Sequence, residues 1–388
     1  MKISQAVILA GGKGERMRPL TLTIPKPMIK IHGKPFLEYT IRLLKKNGIK
    51  EIIILTGYLH EQIEDYFKDG KKFGIKIKYS YSPVEADTGT RIKNARHLFD
   101  KYILLLYGDN YWPLDLSKLI KFYQEKKTKA STVVFSNFDN STKSNILVNE
   151  KGIVEIYDRK RTANNLNGVD IGFFILDTSV LSLLPKKNCS FEESFLPKLV
   201  QKKQLAGFMT HHKYYSLSNL ERLEGINKFF EKKKVVFLDR DGTINKRAGK
   251  ACYIGDWKDF KFLPNVEKAL KLLSKKGFRI FVVTNQPGIA RKILSEEQVN
   301  RIHENLKKEA PMIEDIFYCP HGWDDGCFCR KPNAGMFFKA ASKYNLNLYK
   351  SYCIGDDERD IIAGKMAGCK TFKVSKNKTL YDIAFSLP

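Results

Sequence analysis

The segment Val235-Val-Phe-Leu-Asp-Arg-Asp-Gly-Thr-Ile-Asn245 constrains the fold more than any other stretch of this chain. Its apolar, β-favouring start predicts a buried strand, and two carboxylates one residue apart stand where that strand ends. In extended backbone residues i and i+2 face the same way, so Asp239 and Asp241 point into one crevice. Gly242 lets the chain turn, and Thr243 can cap the turn beyond it. Acids at the carboxyl end of a central strand, joined by a later pair at Asp356-Asp357, predict a Mg²⁺-dependent phosphoryl-transfer site.

A chain of 388 residues is too long for one ordinary core and fits two domains. Strand and helix signals alternate throughout, so the expected class is α/β with two Rossmann-like domains. The charge run Lys232-Lys-Lys234 before Val235 sets the expected boundary, with domains at 1–232 and 233–388. Expected strands include Ala6–Ala10, Ile52–Thr56, Tyr102–Leu106, Ile280–Thr284 and Tyr352–Gly355. Expected helices include Pro35–Lys46, Leu220–Lys232, Val266–Lys276, Ser295–Lys308 and Ala334–Tyr344. No apolar run approaches the ~18 residues of a membrane span. Ala6–Ala10 is too short for a signal-peptide core and runs straight into a glycine-rich motif, so the expected location is cytoplasmic. The net charge of +26 suits phosphorylated metabolites. It is spread thinly, with no helix-turn-helix or aromatic–basic ribbon, so no nucleic-acid partner and no membrane are expected. Oligomeric state is not readable.

The second motif is Leu9-Ala-Gly-Gly-Lys-Gly-Glu-Arg-Met-Arg-Pro-Leu-Thr21, directly after a strand. Gly11, Gly12 and Gly14 let backbone N–H groups surround a polyphosphate, and Arg16 and Arg18 supply permanently charged donors. Pro25-Lys26-Pro27 holds a lysine in a rigid turn nearby. It is not a Walker loop, since no Gly-Lys-Ser/Thr ends it.

These residues resemble the sugar-1-phosphate nucleotidyltransferases over about residues 4 to 230, which implies a mixed sheet and a nucleoside triphosphate with a sugar phosphate as substrates. The resemblance implies that the glycine loop and Arg16 hold the triphosphate, that Lys26 assists at the α-phosphate, and that Asp109 binds Mg²⁺. It also implies that Thr88-Gly89-Thr90, Asp170 and Glu192 line the base and sugar pockets. Two positions depart from the family pattern. Ser216, in Tyr214-Tyr-Ser-Leu-Ser, stands where the family carries a second metal-binding aspartate, and a hydroxyl is a weaker Mg²⁺ ligand. Arg159 stands where a lysine grips the sugar phosphate.

Strand-Asp239-x-Asp241-Gly-Thr, Thr284-Asn285, Lys331 and Gly355-Asp356-Asp357 together resemble the haloacid dehalogenase-like phosphatases over about residues 234 to 388. That resemblance implies a parallel sheet, with Asp239 as the nucleophile forming an aspartyl phosphate. Asp241 acts as general acid and base, holding its proton under the influence of like-charged neighbours. Thr284 and Asn285 meet the phosphoryl group, and Lys331 neutralises charge. Asp239, the Asp241 carbonyl, Asp356 and Asp357 hold Mg²⁺. Asp360 is left with two readings, orienting the metal site or capping the next helix. Between these pieces, Cys319, His321, Cys327 and Cys329 fall within eleven residues, the pattern of a closed structural Zn²⁺ site that pins the loop carrying Arg330 and Lys331. The remaining histidines are bland, and His211-His212 is expected at an exposed strand edge.

This zinc loop, with Thr284-Asn-Gln-Pro-Gly-Ile-Ala-Arg291 before it, resembles the heptose 1,7-bisphosphate 7-phosphatases, with histidinol phosphatases as the rival. Arg330 and the loop around Asn245–Trp257 would meet the substrate's distal end, which residues alone leave as a second phosphate or an imidazole. The fusion separates the rivals. Removing the 7-phosphate leaves a sugar 1-phosphate that a nucleotidyltransferase consumes, whereas histidinol offers that domain nothing. The expectation is a bifunctional enzyme making an activated heptose for surface polysaccharide, with GTP inferred from the resemblance; given Ser216 and Arg159, the alternative is a heptose bisphosphatase whose first domain only binds a nucleotide sugar.

Overall fold

A computed structural model of the chain describes residues 1–249 and 252–388. The chain folds into two compact units, Met1–Asn227 and Lys228–Pro388.

The first unit is built on seven strands: β1 (Gln5–Leu9), β2 (Glu51–Thr56), β3 (Lys76–Tyr81), β4 (Tyr102–Tyr107), β5 (Ala130–Phe135), β6 (Val169–Asp177) and β7 (Leu205–Thr210). Their order is β7-β5-β6-β4-β1-β2-β3. Every neighbouring pair is parallel except those of β6, which runs antiparallel to both β4 and β5. All five residues of β1 are buried, as expected of a strand covered on both faces. Two apolar clusters pack on opposite faces of the sheet, one around Ile8, Ile41 and Phe173, the other around Val7, Phe174 and Leu196.

The second unit carries β8 (Lys234–Leu238), β9 (Phe278–Asn285), β10 (Ile313–Cys319), β11 (Ser351–Gly355) and β12 (Lys370–Lys373), in the order β10-β9-β8-β11-β12 and all parallel. β8 is therefore central, and its carboxyl end is flanked by the ends of β9 and β11. In open parallel sheets that rim is where ligands bind. Helices Val266–Lys275, Glu296–Glu309 and Gly335–Tyr344 fall within a residue or two of expectation, and Ser295 with Gln298 forms a capping box that fixes the second of them. No helix among the described residues is long and apolar enough to cross a membrane.

His211 and His212 are half-buried rather than exposed. His211 Nδ1 lies 2.6 Å from Ser136 Oγ, and burial drives the His212 imidazole down to about 3. The correction has a simple cause: they follow β7, and an edge strand can still be covered by loops.

Candidate active sites

β8 delivers Asp239 to the rim, where its backbone N–H donates to the Ile354 carbonyl at 2.9 Å and ties the two strand ends together. Gly242 has φ 99°, and a Cβ there would collide with the Asp356 carboxylate, so glycine is required on both counts. Lys331 reaches in from the opposite side, fully buried. Its Nζ lies 2.5 Å from Asp239 Oδ1 and 2.6 Å from Asp360 Oδ1, and it donates to the Val283 carbonyl at 2.8 Å. Asn285 holds the lysine backbone in place, donating to the Lys331 carbonyl and accepting from the Lys331 N–H, each at 3.0 Å. Asp239, Asp241, Thr284, Asn285 and Lys331 line one cavity of about 110 Å³, a volume suited to a phosphoryl group.

Burial pushes the Asp239 carboxyl up to about 7, a rise that Lys331 opposes and that Asp360 and Asp241 add to. Asp241 behaves differently from the sequence expectation. Burial pushes it up, but Arg240 (2.9 Å), Asn245 Nδ2 (3.0 Å) and Gln286 Nε2 (2.9 Å) outweigh that and hold its carboxyl below the usual range. Its hydrogen-bonding partners are one guanidinium and two amide donors. Thr284 Oγ1 lies 3.5 Å from Asp241 Oδ2 and accepts from Gln286 Nε2 at 2.9 Å.

The carboxylates that converge are Asp239, Asp356 and Asp360, with ligand atoms all within 4.8 Å of one another. Asp357 is not among them. Its side chain caps helix Glu358–Met366, accepting from the Arg359 N–H, and pairs with the Arg359 guanidinium at 2.8 Å. Asp360 also accepts from the Asp357 N–H at 3.0 Å, so it serves both readings left open for it. Helical spacing explains the exchange: three residues on from the cap, the chain has turned back toward the strand ends. Three hard oxygen donors suit Mg²⁺. Asn is as good an N-cap as Asp. Asp357→Asn is therefore expected to leave phosphate-ester turnover within about threefold of wild type. Asp360→Asn, which removes a charged partner from buried Lys331, is expected to cost on the order of 100-fold. Comparing the two kcat/KM values checks the assignment.

Several residues of this site were not legible. Gln286 and Asn245 are ordinary amides in sequence. Arg240 lies at the alternate position of Asp-x-Asp, where side chains face away. Its buried guanidinium folds back onto Asp241 and donates to His303 Nε2 at 3.1 Å, while burial holds that imidazole near 3 and so neutral. Of the loop expected to reach the substrate's distal end, residues 250 and 251 lie outside the described residues.

Cys319, His321, Cys327 and Cys329 form a second cluster. His321 Nδ1 is 3.5 Å from Cys319 Sγ and 3.3 Å from Cys329 Sγ, and Cys327 Sγ is 3.6 and 3.7 Å from the same two sulfurs. Three thiols and one imidazole within 4.8 Å are a soft tetrahedral donor set that fits Zn²⁺. Arg330 is anchored to the cluster, its N–H donating to Cys327 Sγ at 3.3 Å and its Nη1 to the His321 carbonyl at 3.1 Å.

In the first unit, Gly14 takes φ 65° and starts a short 3₁₀ turn after β1. Arg16 and Arg18 stand exposed beside the loop, Arg18 loosely paired with Glu15. Lys26, nearly buried, is ion-paired to Asp109. Ser216 pairs in register with Asn110, and the Leu217 N–H donates to the Asp109 carbonyl at 2.9 Å, so Ser216 sits beside Asp109. Among the residues expected to line the base and sugar pockets, Glu192 accepts from Thr88 Oγ1 and Ser190 Oγ, each at 3.0 Å. Asp170 accepts from Thr132 Oγ1 (2.7 Å), Tyr157 (3.0 Å) and the Gly172 N–H (3.0 Å), with burial pushing its carboxyl up to about 6. Arg159 pairs with Glu193 Oε1 at 3.0 Å and reaches Ser190 Oγ at 3.3 Å. Gly89 and Thr90 are packed on Cys189, and the Thr90 hydroxyl accepts from its N–H at 3.0 Å. Arg91 was missed. Its buried guanidinium donates to the carbonyls of Thr56, Ser82, Pro83 and Val84 and braces the segment that leads to Thr88.

Fold and sites together define an enzyme of two catalytic units, a nucleotidyltransferase followed by a haloacid dehalogenase-like phosphatase. The nucleotidyl transferase family matches residues 5–260, and the polynucleotide kinase 3 phosphatase family matches residues 234–387. The chain belongs to the nucleotidyl transferase family, and its second unit belongs with the heptose bisphosphate phosphatases. D-glycero-beta-D-manno-heptose-1,7-bisphosphate 7-phosphatase of Haemophilus ducreyi is 43% identical over 150 residues, 36% of this chain and 81% of its own length. D-glycero-alpha-D-manno-heptose 1-phosphate guanylyltransferase of Campylobacter jejuni is 36% identical over 192 residues, 49% of this chain and 83% of its own. Among solved structures, HddC from Yersinia pseudotuberculosis (24% identity, TM-score 0.51, covering 59% of this chain and 100% of that one) shares the fold of the first unit.

Proposed function

We propose that the chain removes the 7-phosphate of a D-glycero-D-manno-heptose 1,7-bisphosphate and transfers a guanylyl group from GTP to the resulting heptose 1-phosphate. The observation that carries this is the joining of two sites whose relatives, a D-glycero-alpha-D-manno-heptose-1,7-bisphosphate 7-phosphatase of Photorhabdus laumondii and the heptose 1-phosphate guanylyltransferase of Campylobacter jejuni, act on consecutive compounds of one anomer. We place the functional boundary at residues 232 and 233. Both reactions use soluble phosphorylated substrates and none of the seven cysteines is in a disulfide, which supports a cytoplasmic setting.

In the phosphatase site, Asp239 attacks the 7-phosphorus and the bond from phosphorus to O7 breaks. Asp241 gives O7 its proton, then takes one from the water that hydrolyses the aspartyl phosphate. Arg240, Asn245 and Gln286 favour the ionised Asp241 needed for the second half. The incoming phosphoryl anion, a like charge at short range, raises its proton affinity for the first. Thr284 offers its hydroxyl to the phosphoryl group, and Lys331 offsets the charge that develops there. Mg²⁺, for which Asp239, Asp356 and the Asp241 carbonyl with Asp360 behind them are the donor set, supplies further neutralisation of the anionic cluster. Zn²⁺ on Cys319, His321, Cys327 and Cys329 is structural and takes no part in bond breaking. Arg330, carried on the same loop, would meet the distal end of the substrate.

In the transferase site, a phosphate oxygen of the sugar 1-phosphate attacks the α-phosphorus of GTP and pyrophosphate leaves. Gly11, Gly12, Gly14, Arg16 and Arg18 hold the triphosphate, Lys26 acts at the α-phosphate, and Asp109 is the carboxylate assigned to Mg²⁺. Gly89, Thr90, Asp170, Glu192 and Arg159 are assigned to the base and sugar. Because Ser216 adjoins Asp109, Ser216→Asp would supply a second hard ligand, and guanylyl transfer is expected to rise about tenfold at limiting Mg²⁺. The function is tested by phosphate release from heptose bisphosphate against histidinol phosphate. Preference for histidinol phosphate would overturn it.

A further inference from the structure

Arg247, six residues beyond Asp241, is half exposed, yet its guanidinium lies inside the acidic cluster of the phosphatase site. Nε donates to the Asp241 carbonyl at 3.1 Å, and Nη2 donates to Asp356 Oδ1 at 2.9 Å and lies 3.5 Å from Asp357 Oδ2. Neighbouring nitrogens of one planar fork span only a short distance, so the two oxygens they hold face the same side. Those are two of the oxygens assigned to a divalent cation, and the inference rests on that reading. An oxygen that accepts from a guanidinium has the same lone pairs turned away from a metal, and a +1 group beside a +2 ion is repelled.

We propose that Arg247 is a competing internal cation that alternates between the metal-binding oxygens and an anionic group of the substrate. Its side chain lines both the phosphoryl cavity and an adjoining cavity of about 550 Å³. That second space is bounded by Tyr253, Arg291, Trp323, Arg330 and Arg359, with the Arg330 and Arg359 guanidinia 4.3 and 5.2 Å from the Trp323 ring centroid. When a divalent cation takes the Asp241 carbonyl and Asp356, Arg247 has to leave. The space open to it is lined by Arg240, Arg291, Arg330 and Arg359, so an anion there stabilises its new position beyond what Asp357 supplies. Metal and a substrate carrying a second anionic group thus favour each other's binding through one side chain.

The test titrates the full-length wild type and Arg247→Gln with Mg²⁺ alone by calorimetry, with Asp356→Asn identifying the heat that belongs to this site. KM is then measured for a sugar bisphosphate and for p-nitrophenyl phosphate. Arg247→Gln is expected to bind Mg²⁺ about tenfold more tightly and to raise KM for the bisphosphate about tenfold relative to KM for p-nitrophenyl phosphate. Arg247→Lys, which keeps the charge but loses the fork, should fall between. Unchanged or weaker Mg²⁺ binding in Arg247→Gln would overturn the proposal, as would equal KM shifts for both esters. Mg²⁺ binding that survives intact in Asp356→Asn would instead overturn the metal-site reading beneath it.

Discussion

Asp239→Asn is expected to lower phosphate-ester hydrolysis by at least about 10⁴-fold while leaving nucleotidyl transfer from sugar 1-phosphate and GTP near wild type. The amide keeps the shape of the carboxylate, so the fold should persist. It cannot form a phosphoryl ester, and it removes one of the three clustered carboxylates. It also takes a charged partner from Lys331, whose Nζ lies between Asp239 and Asp360. Lys331 still has Asp360, which is why the expected effect is catalytic rather than a loss of folding. Circular dichroism, steady-state hydrolysis and a guanylyl-transfer assay on the same preparation check all three points. Residual hydrolysis within 100-fold of wild type would contradict the assignment of the nucleophile.

The second large effect is expected at the cysteine cluster. Cys329→Ser, or prolonged chelation, should lower the melting temperature of the second unit by about 10 °C and abolish most hydrolysis, with the first unit melting as before. Zinc–thiolate binding contributes folding free energy directly. A loss of a few kcal/mol corresponds to a shift of this size in a domain of roughly 160 residues. Activity falls with it because Lys331 is two residues beyond Cys329, and Arg330 donates to both Cys327 Sγ and the His321 carbonyl. Asn285 fixes the Lys331 backbone from the far side, so the lysine is held between two supports. Differential scanning calorimetry with a zinc-release dye reads both parts. A variant that melts normally without releasing one equivalent of zinc would contradict the structural role.

Much of this was legible because the decisive residues lie at strand ends, where period-two alternation and glycine placement fix direction. Asp239 and Asp241 fall in one cavity for that reason, and Gly242 meets a steric demand visible only once Asp356 is placed. Where prediction and structure part, the cause is a short-range choice that spacing does not encode. Asp357 and Asp360 are both acids near a helix start and both join its capping box, and Asp360 also reaches Lys331 and the clustered carboxylates. Asp241 is held by Arg240, Asn245 and Gln286, which lie in the loops just beyond two strand ends, where the period-two alternation no longer fixes direction. Arg91 was invisible because its work is done on main-chain carbonyls, which carry no sequence signal. The ion pair between Lys26 and Asp109 joins two motifs 83 residues apart that the resemblance had already placed in one site.

The most direct test follows product formation from heptose 1,7-bisphosphate and GTP by ³¹P NMR in one reaction. Wild-type protein should release inorganic phosphate first and then accumulate GDP-heptose with pyrophosphate, whereas Asp239→Asn should yield the nucleotide sugar only when heptose 1-phosphate is supplied directly. A guanylylated product that retains the 7-phosphate, or wild-type protein that stops at the sugar 1-phosphate, would contradict the coupling of the two sites.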